Sequence, residues 1–193
     1  MMSRTRALAQ AGVIAAVYAA VTLVVLQLPG QLGWGLVQFR VSEAVTVLAL
    51  FTPAAIPGLA IGAAVANLFN VGQAGPVALL DVVFGSLGTL LGAIWTWRAR
   101  RRTWLALLGP VVTNALIVPA YLPAMLAAIG VTEVPFLGIG PGTAWPVVYA
   151  AGVLTVGAGQ AEVVYGLGWP LAIALRAAGL GRVLDTGGRP GAD

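Results

Sequence analysis

The chain has 193 residues, of which 60% are apolar and only 8% are charged. Sixteen charged side chains (10 basic plus 6 acidic) cannot cover a water-soluble domain, in which about a quarter of the residues are charged, so a soluble globular fold is excluded. The sequence contains no His, Cys or Lys. This excludes a disulfide, the usual zinc and haem ligands, and the phosphate-binding loop that ends in Lys-Ser or Lys-Thr. We therefore expect an integral membrane protein that holds no metal or cofactor and does not itself hydrolyse ATP.

Apolar stretches approach the length of about 20 residues that a helix needs to cross a bilayer. The stretch from residue 35 to 69 is ambiguous, because it can be read as one long span or as two short ones. Positive side chains stay on the cytoplasmic side, so an even number of crossings must separate Arg4 and Arg6 from the arginines at 98–102. Two crossings in the ambiguous stretch satisfy this rule. The predicted helices are near 5–28, 36–51, 54–69, 76–97, 104–129 and 145–175.

The fold prediction is therefore an all-α, integral membrane six-helix bundle with cytoplasmic N- and C-termini. A single transmembrane domain covers residues 1–176, and a Gly-rich cytoplasmic tail follows at 177–193. In this topology nine of the ten arginines face the cytoplasm, and Arg40 alone faces outward. The sorting of arginines explains the basic pI of about 10.4 without nucleic acid.

Polar side chains within apolar helices are costly in a bilayer, so each is a candidate for function. Arg40 and Glu43 are three residues apart and could form an ion pair at the outer end of a helix or contact a ligand. Asn67 could point into the bundle. Asp81 follows Gly75-Pro76 by about one turn and could complement a helix N-terminus.

Three further groups of polar or aromatic residues are candidates. Asn114 lies near the middle of its span and could form an interhelical hydrogen bond. Glu162 lies inside the last span with no basic residue nearby in the sequence, which favours a ligand or ion-coupling role and a position that closes an outward-facing pocket. Tyr121, Trp145 and Tyr149 are typical of the aromatic belt at the membrane surface, although one or two of them could stack on a flat ligand.

The first helix carries a stripe of small residues at helical spacing. Such stripes let two helix backbones approach closely in lipid. The spacing does not decide whether the stripe packs inside the bundle or against another subunit. Its members are Ala11, Ala15, Ala16, Ala19 and Ala20.

Five segments carry a resemblance to a known family: QFRVSEAVT (38–46), FTPAAIPG (51–58), AN (66–67), DVVFGSL (81–87) and GQAE (159–162). Together they resemble the QueT-type substrate-binding (S) components of energy-coupling factor (ECF) transporters, a family associated with the uptake of queuosine precursors. The resemblance implies a six-helix S component in the plasma membrane of a prokaryote. It also implies a complex with a transmembrane T component, against which the alanine stripe would pack, and with two cytoplasmic ATPases.

The resemblance implies a flat, deazaguanine-like ligand, whose two neighbouring N–H donors a carboxylate can accept together. Glu43, Asp81 and Glu162 would supply the carboxylate, Asn67 and Asn114 amides, and Trp145 or Tyr149 a stacking plane. Three alternatives remain open at this point: an S component for another vitamin-like molecule, a stand-alone secondary transporter with Glu162 as its ion site, and a structural membrane protein.

Overall fold

A computed structural model describes residues 3–26, 40–128, 130, 133, 138–140 and 142–181, except for the side chains of residues 70, 73 and 74. The predicted helix ends at 27–28, 36–39 and 129 lie outside the described residues, and so does the tail after 181.

The described residues are mostly helical, with no β-strand among them, which confirms the all-α prediction. Two α-helices flank the short 3₁₀ helix Val41–Leu50, and two π-helical segments interrupt the later helices. In chain order the α-helices are α1 (Arg4–Leu26), α2 (Ala55–Ala74), α3 (Ser86–Ala99), α4 (Thr103–Ala128), α5 (Trp145–Val163) and α6 (Trp169–Ala177). The π segments are Asp81–Gly85, which leads into α3, and Val164–Gly168, which joins α5 to α6.

Within the part of the chain that the structure describes, four helical stretches are long and apolar enough to span a membrane: Arg4–Val25, Pro76–Ala99, Thr103–Ala128 and Trp145–Ala177. Their exposed surface is rich in Leu, Val and Ile, as expected for contact with lipid. The chain is therefore membrane-embedded. The other two apolar segments, Val41–Leu50 and Ala55–Phe69, are shorter, and the prediction of six crossings stays a prediction.

The segment Val41–Leu50 is a 3₁₀ helix, whereas the sequence pattern predicted an ordinary helical span there. Eight of its ten residues are buried, and three of the buried ones are β-branched and so relatively poor α-helix formers. The Thr46 hydroxyl donates to the Glu43 carbonyl at 2.6 Å, which supports the i to i+3 spacing of this helix. At about 2.0 Å per residue, ten residues extend about 20 Å, less than the roughly 30 Å of a hydrocarbon core.

One end of the bundle collects the arginine-bearing turns. The Thr52 hydroxyl donates to Gln10 Oε1 at 3.1 Å, so the start of α1 lies beside the turn before α2. Arg176 donates to Thr103 Oγ1 at 2.7 Å and also lies over the Phe51 ring, which adds the α3–α4 turn and α6. We call this the arginine-rich end, and the other end the opposite end.

Small residues set the closest helix contacts. A Cβ added at Gly58 or Gly62 of α2 would lie 2.7 Å from the backbone carbonyl oxygen of Ala11 or Ala15, so α1 and α2 touch backbone to backbone. This contact buries Ala11 and Ala19 and half-buries Ala15, while Ala16 and Ala20 remain exposed. The structure thus divides the alanine stripe: one side belongs to the bundle interior, and only the other is open to a partner.

Proline residues inside α4 leave backbone carbonyls without their helical donors. Pro110 has no N–H to offer to the carbonyl of Ala106, four residues earlier. The buried Thr96 hydroxyl of α3 donates to that carbonyl at 3.0 Å instead. A side chain of the neighbouring helix therefore compensates for the break and ties α3 to α4.

Candidate ligand-binding site

Asp81 is the centre of a polar cluster toward the opposite end of the bundle. Its Oδ2 receives the Arg40 guanidinium at 2.7 Å, and its Oδ1 receives the Tyr121 hydroxyl at 2.6 Å. Its backbone carbonyl receives Asn67 Nδ2 at 2.8 Å. Side chains from α2, from α4 and from the residue that precedes the 3₁₀ helix thus converge on one residue that is almost fully buried.

The π segment Asp81–Gly85 begins at the carbonyl that Asn67 of α2 contacts. A π-helical turn replaces the i to i+4 hydrogen bonds of an α-helix by i to i+5 bonds, and the Asp81 carbonyl accepts a hydrogen bond from Asn67 Nδ2. Gly85 ends this segment, and a Cβ there would crowd Asp81, Asn67 and Tyr121 at once. Glycine is therefore required at this position by the close approach of three polar side chains.

Glu43 forms the second centre. Its side chain has 0% exposure, and its Oε1 receives the Tyr18 hydroxyl of α1 at 2.5 Å. Its Oε2 is buried and has no hydrogen-bond partner among the described residues. The Glu43 side chain also interacts with the Thr89 hydroxyl and, through its charge, with Arg40, so the two centres form one cluster.

Two amides extend this polar region inward. Asn114 of α4 has 1% exposure, and neither its Oδ1 nor its Nδ2 finds a partner among the described residues. It lies against Gly88 of α3, where an added Cβ would be 2.7 Å from Oδ1, and Gly88 is adjacent in the chain to Thr89. Gln160 of α5 has 3% exposure and an unpartnered Oε1.

An apolar cluster lies one helical turn further toward the arginine-rich end. Its members include Val47 of the 3₁₀ helix, Val111 of α4 and Val164 of the second π segment. Each of them is three or four residues along the chain from Glu43, Asn114 or Gln160. These three residues, whose side chains have unpartnered atoms among the described residues, therefore lie at a similar depth above the apolar cluster.

The structure brings Arg40, Glu43, Asn67, Asp81 and Asn114 into this region. It corrects the expected ion pair: Arg40 pairs with Asp81, 41 residues away, while Glu43 pairs with Tyr18. The helix-terminus interpretation of Asp81 also gives way, because both of its carboxylate oxygens bind side chains from outside its own segment.

The other candidates lie elsewhere. Trp145 is 57% exposed and stacks on Tyr149 with ring centroids 5.1 Å apart, while the Tyr149 hydroxyl donates to the Leu116 carbonyl. Glu162 is exposed, and the buried amide of Gln160 two residues earlier takes the inward position. The structure therefore does not bring Trp145, Tyr149 or Glu162 to the cluster.

Sequence reasoning missed Tyr18 and Gln160 and read Tyr121 as a belt residue. Tyr121 is buried, binds Asp81 and packs against the Phe84 ring, with centroids 6.0 Å apart. A polar residue on the buried face of an apolar helix is the available signal, and Tyr18 beside Ala11 and Ala15 carries it. No spacing rule predicts which carboxylate each tyrosine meets.

An all-helical, membrane-embedded chain with a buried cluster of partly unpartnered polar groups belongs to the class of membrane proteins that bind or move small solutes. A family model described as QueT transporter matches residues 8–177, and the chain belongs to this family. The resemblance seen in the sequence is thereby confirmed. Neither the curated proteins nor the solved structures give a match to the chain. The family points to a role in transport across a membrane rather than in catalysis.

Proposed function

We propose that this chain is the S component of an ECF-type importer and captures a queuosine precursor, a 7-deazaguanine, from outside the cell. The observation that carries the proposal is Glu43 Oε2, a buried carboxylate oxygen with no hydrogen-bond partner among the residues that the structure describes, in a chain of the QueT family. A buried polar atom without a hydrogen bond costs about 1–3 kcal/mol, and more when it is charged. A ligand that donates hydrogen bonds here removes that cost when it binds.

The chemistry of a deazaguanine fits these groups. Its ring offers N–H donors and a carbonyl acceptor, and Glu43, Asn114 and Gln160 have unpartnered atoms of the complementary kinds. Arg40, Asn67 and Asp81 hold the outer side of the site, where their mutual hydrogen bonds fix its shape. Tyr121 and Phe84 provide aromatic surface near the cluster. In this proposal they supply the stacking plane that the resemblance implied for Trp145 or Tyr149.

The proposed topology has six crossings with both termini in the cytoplasm of a prokaryotic cell. It is supported by the arginine-rich end, since positive residues stay on the cytoplasmic side. In this orientation the cluster around Asp81 and Glu43 lies in the outer half of the membrane and faces the ligand supply. A reporter fused after Arg176 should be cytoplasmic, and an extracellular reporter would contradict the topology.

The proposed partners are a transmembrane T component and two cytoplasmic ATPases, because the chain lacks a phosphate-binding loop of its own. In this proposal the T component packs against the exposed side of α1, where Gly12, Ala16 and Ala20 give a smooth stripe at four-residue spacing. Small residues of this kind allow close helix contact within lipid. Ala11 and Ala19 are already buried in the bundle.

The test is ligand identification followed by titration. Mass spectrometry of the small molecule that co-purifies with the full-length chain should find a deazaguanine, and calorimetry on the emptied protein should give saturable binding. Uptake that needs the ATPases supports the S component. Uptake by the chain alone that depends on membrane potential would support a secondary transporter instead.

A further inference from the structure

A groove of about 570 Å³ lies between α3 and α4 at the arginine-rich end, away from the polar cluster around Asp81. Leu91 and Trp95 on its wall are 41% and 38% exposed, so the groove opens to the surroundings of the bundle. The residues that line it are mostly apolar, and one is charged. They are Leu91, Ile94, Trp95, Arg98 and Ala99 of α3 and Thr113 of α4.

Contacts within the protein fix the shape of this groove. Gly109 of α4 lies against Trp95, because a Cβ added there would be 2.8 Å from the Trp95 Cβ. The Trp95 indole N–H donates to the Leu105 carbonyl at 3.0 Å, which holds the ring against α4. The Thr113 hydroxyl lies 2.9 Å from the carbonyl oxygens of Gly88 and Gly109. The polar groups of Trp95 and Thr113 therefore already have partners, and the wall offers apolar surface.

The apolar part of the groove lies within a membrane span. Leu91 and Ile94 belong to the stretch Pro76–Ala99, which is long and apolar enough to cross a bilayer. At 1.5 Å per residue, Leu91 is about 10 Å from Arg98 along the helix axis. An acyl chain that starts at the membrane surface passes this depth, whereas a soluble anion does not enter the hydrocarbon. The matching occupant of the apolar part is therefore a lipid tail.

Positive charge collects at the mouth of the groove. Arg98 is exposed and forms no ion pair with any residue that the structure describes. Three more arginines follow at 100–102, and no Asp or Glu occurs between residues 81 and 133. A guanidinium binds a phosphate through two parallel hydrogen bonds. The surplus of positive charge favours a headgroup with net negative charge over a zwitterionic one, whose cation the arginines would repel.

We propose that the α3–α4 groove binds one anionic phospholipid, with its phosphate on Arg98 and one acyl chain along Leu91, Ile94 and Trp95. Basic pockets between transmembrane helices are suited to such headgroups. The lipid covers apolar surface that the bundle leaves open and neutralises part of the charge at the α3–α4 turn. Its binding does not depend on which small molecule the cluster around Asp81 holds, so this site is separate from the proposed function.

The test measures phosphatidylglycerol binding to the full-length chain. The purified and delipidated protein is titrated with phosphatidylglycerol or with phosphatidylcholine of the same acyl chains, and native mass spectrometry counts the bound lipid. Phosphatidylglycerol should form a complex of one lipid per chain and bind at least about fivefold more tightly than phosphatidylcholine. Inorganic phosphate at the same concentration should not displace it. Equal binding of the two lipids, or displacement by phosphate, would overturn the proposal.

Arg98→Gln and Arg101→Gln form a matched pair of variants. Both remove one positive charge from the same region, but only Arg98 lines the groove. Arg98→Gln should weaken phosphatidylglycerol binding by about fivefold, and Arg101→Gln by less than about twofold. Equal losses in the two variants would mean that the lipid responds to the general positive charge rather than to the groove, which contradicts the proposal.

Leu91→Trp tests the acyl-chain contact, because it occupies the groove without changing the charge. It should weaken phosphatidylglycerol binding by at least about fivefold, whereas Leu154→Trp adds the same ring at an exposed position of α5 and should leave binding unchanged. If Leu91→Trp keeps the lipid but loses proteins that co-purify with the wild-type chain, the groove belongs to a protein partner and the proposal fails. Thermal unfolding establishes that each variant is folded. If Leu91→Trp does not fold, the comparison of Arg98→Gln with Arg101→Gln decides.

Discussion

Substitution of Gly85 by alanine tests the geometry of the Asp81 cluster. The added Cβ would lie 3.1 Å from Asn67 Nδ2 and 3.1 Å from the Tyr121 hydroxyl, and closer still to Asp81 Oδ1. Overpacking of this kind costs about 1–3 kcal/mol, whereas alanine in place of glycine within a helix gains about 0.5–1 kcal/mol. We expect a net loss of about 1–2 kcal/mol.

We expect Gly85→Ala to reduce ligand affinity more than it reduces the stability of the fold. To accept the methyl group, Asp81 must move away from Asn67 or Tyr121, and a hydrogen bond to a charged group contributes about 1.5–3 kcal/mol. Because these contacts also hold Arg40, we expect the affinity for a deazaguanine to fall by at least about tenfold. Thermal unfolding in detergent and calorimetric titration measure the two effects separately.

Gly72 provides the matched control for this experiment. It also lies within a helix, α2, but a Cβ there meets no atom within 4 Å. Gly72→Ala should therefore keep the wild-type affinity and be as stable as wild type or slightly more so. If Gly85→Ala behaves like Gly72→Ala in both measurements, Asp81, Asn67 and Tyr121 do not surround Gly85 as described, and the proposed geometry of the site is wrong.

Three other predictions concern the helix contacts and Glu162, which the structure places outside the cluster. Thr96→Val should cost about 1 kcal/mol of stability but nearly nothing in a Pro110→Ala background, where the new N–H serves the same carbonyl; equal costs in both backgrounds would refute the compensation. Ala16→Trp should abolish ATPase-dependent uptake and keep ligand binding, while Ala15→Trp should unfold the α1–α2 contact and lose both; intact uptake in Ala16→Trp would remove this face from the partner interface. Glu162→Gln should leave ligand affinity within about twofold of wild type, and a tenfold loss would return Glu162 to the site.

The sequence predicted the helical architecture because hydropathy and charge sorting are properties of the chain itself. The same arguments selected Arg40, Glu43, Asn67, Asp81 and Asn114, since a polar side chain in an apolar helix must have a partner whatever the fold. The sequence could not identify which residue each of these side chains would bind. Spacing of three residues suggests a local pair, yet the partner of Arg40 is 41 residues away, because the neighbours in a bundle are set by packing.

The difference between the predicted and the observed positions of Glu162, Trp145 and Tyr149 has a similar physical cause. Glu162 and Gln160 are two residues apart, about 200° around a helix of 3.6 residues per turn, so one faces inward when the other faces outward. α5 has no polar face that would settle which of the two is inside. Tyr121 is buried, whereas Trp145 is exposed and Tyr149 is half-buried. Burial depends on which helices cover each position, and the sequence does not show this.

The π segment at Asp81–Gly85 also restricts how this chain can change in length. A π turn holds one residue more than the α-turn it replaces, and deletion of any of its five residues would restore a regular helix. Because the extra residue is confined to the turn, the residues before and after it keep the register of a regular helix. Loss of one of the residues between Asp81 and Gly85 would narrow the turn that holds these two residues beside Asn67 and Tyr121, without rotating the helix on either side. The cluster thus depends on residue count as much as on residue type, and we expect relatives that keep this site to vary in the turns between helices rather than within this segment.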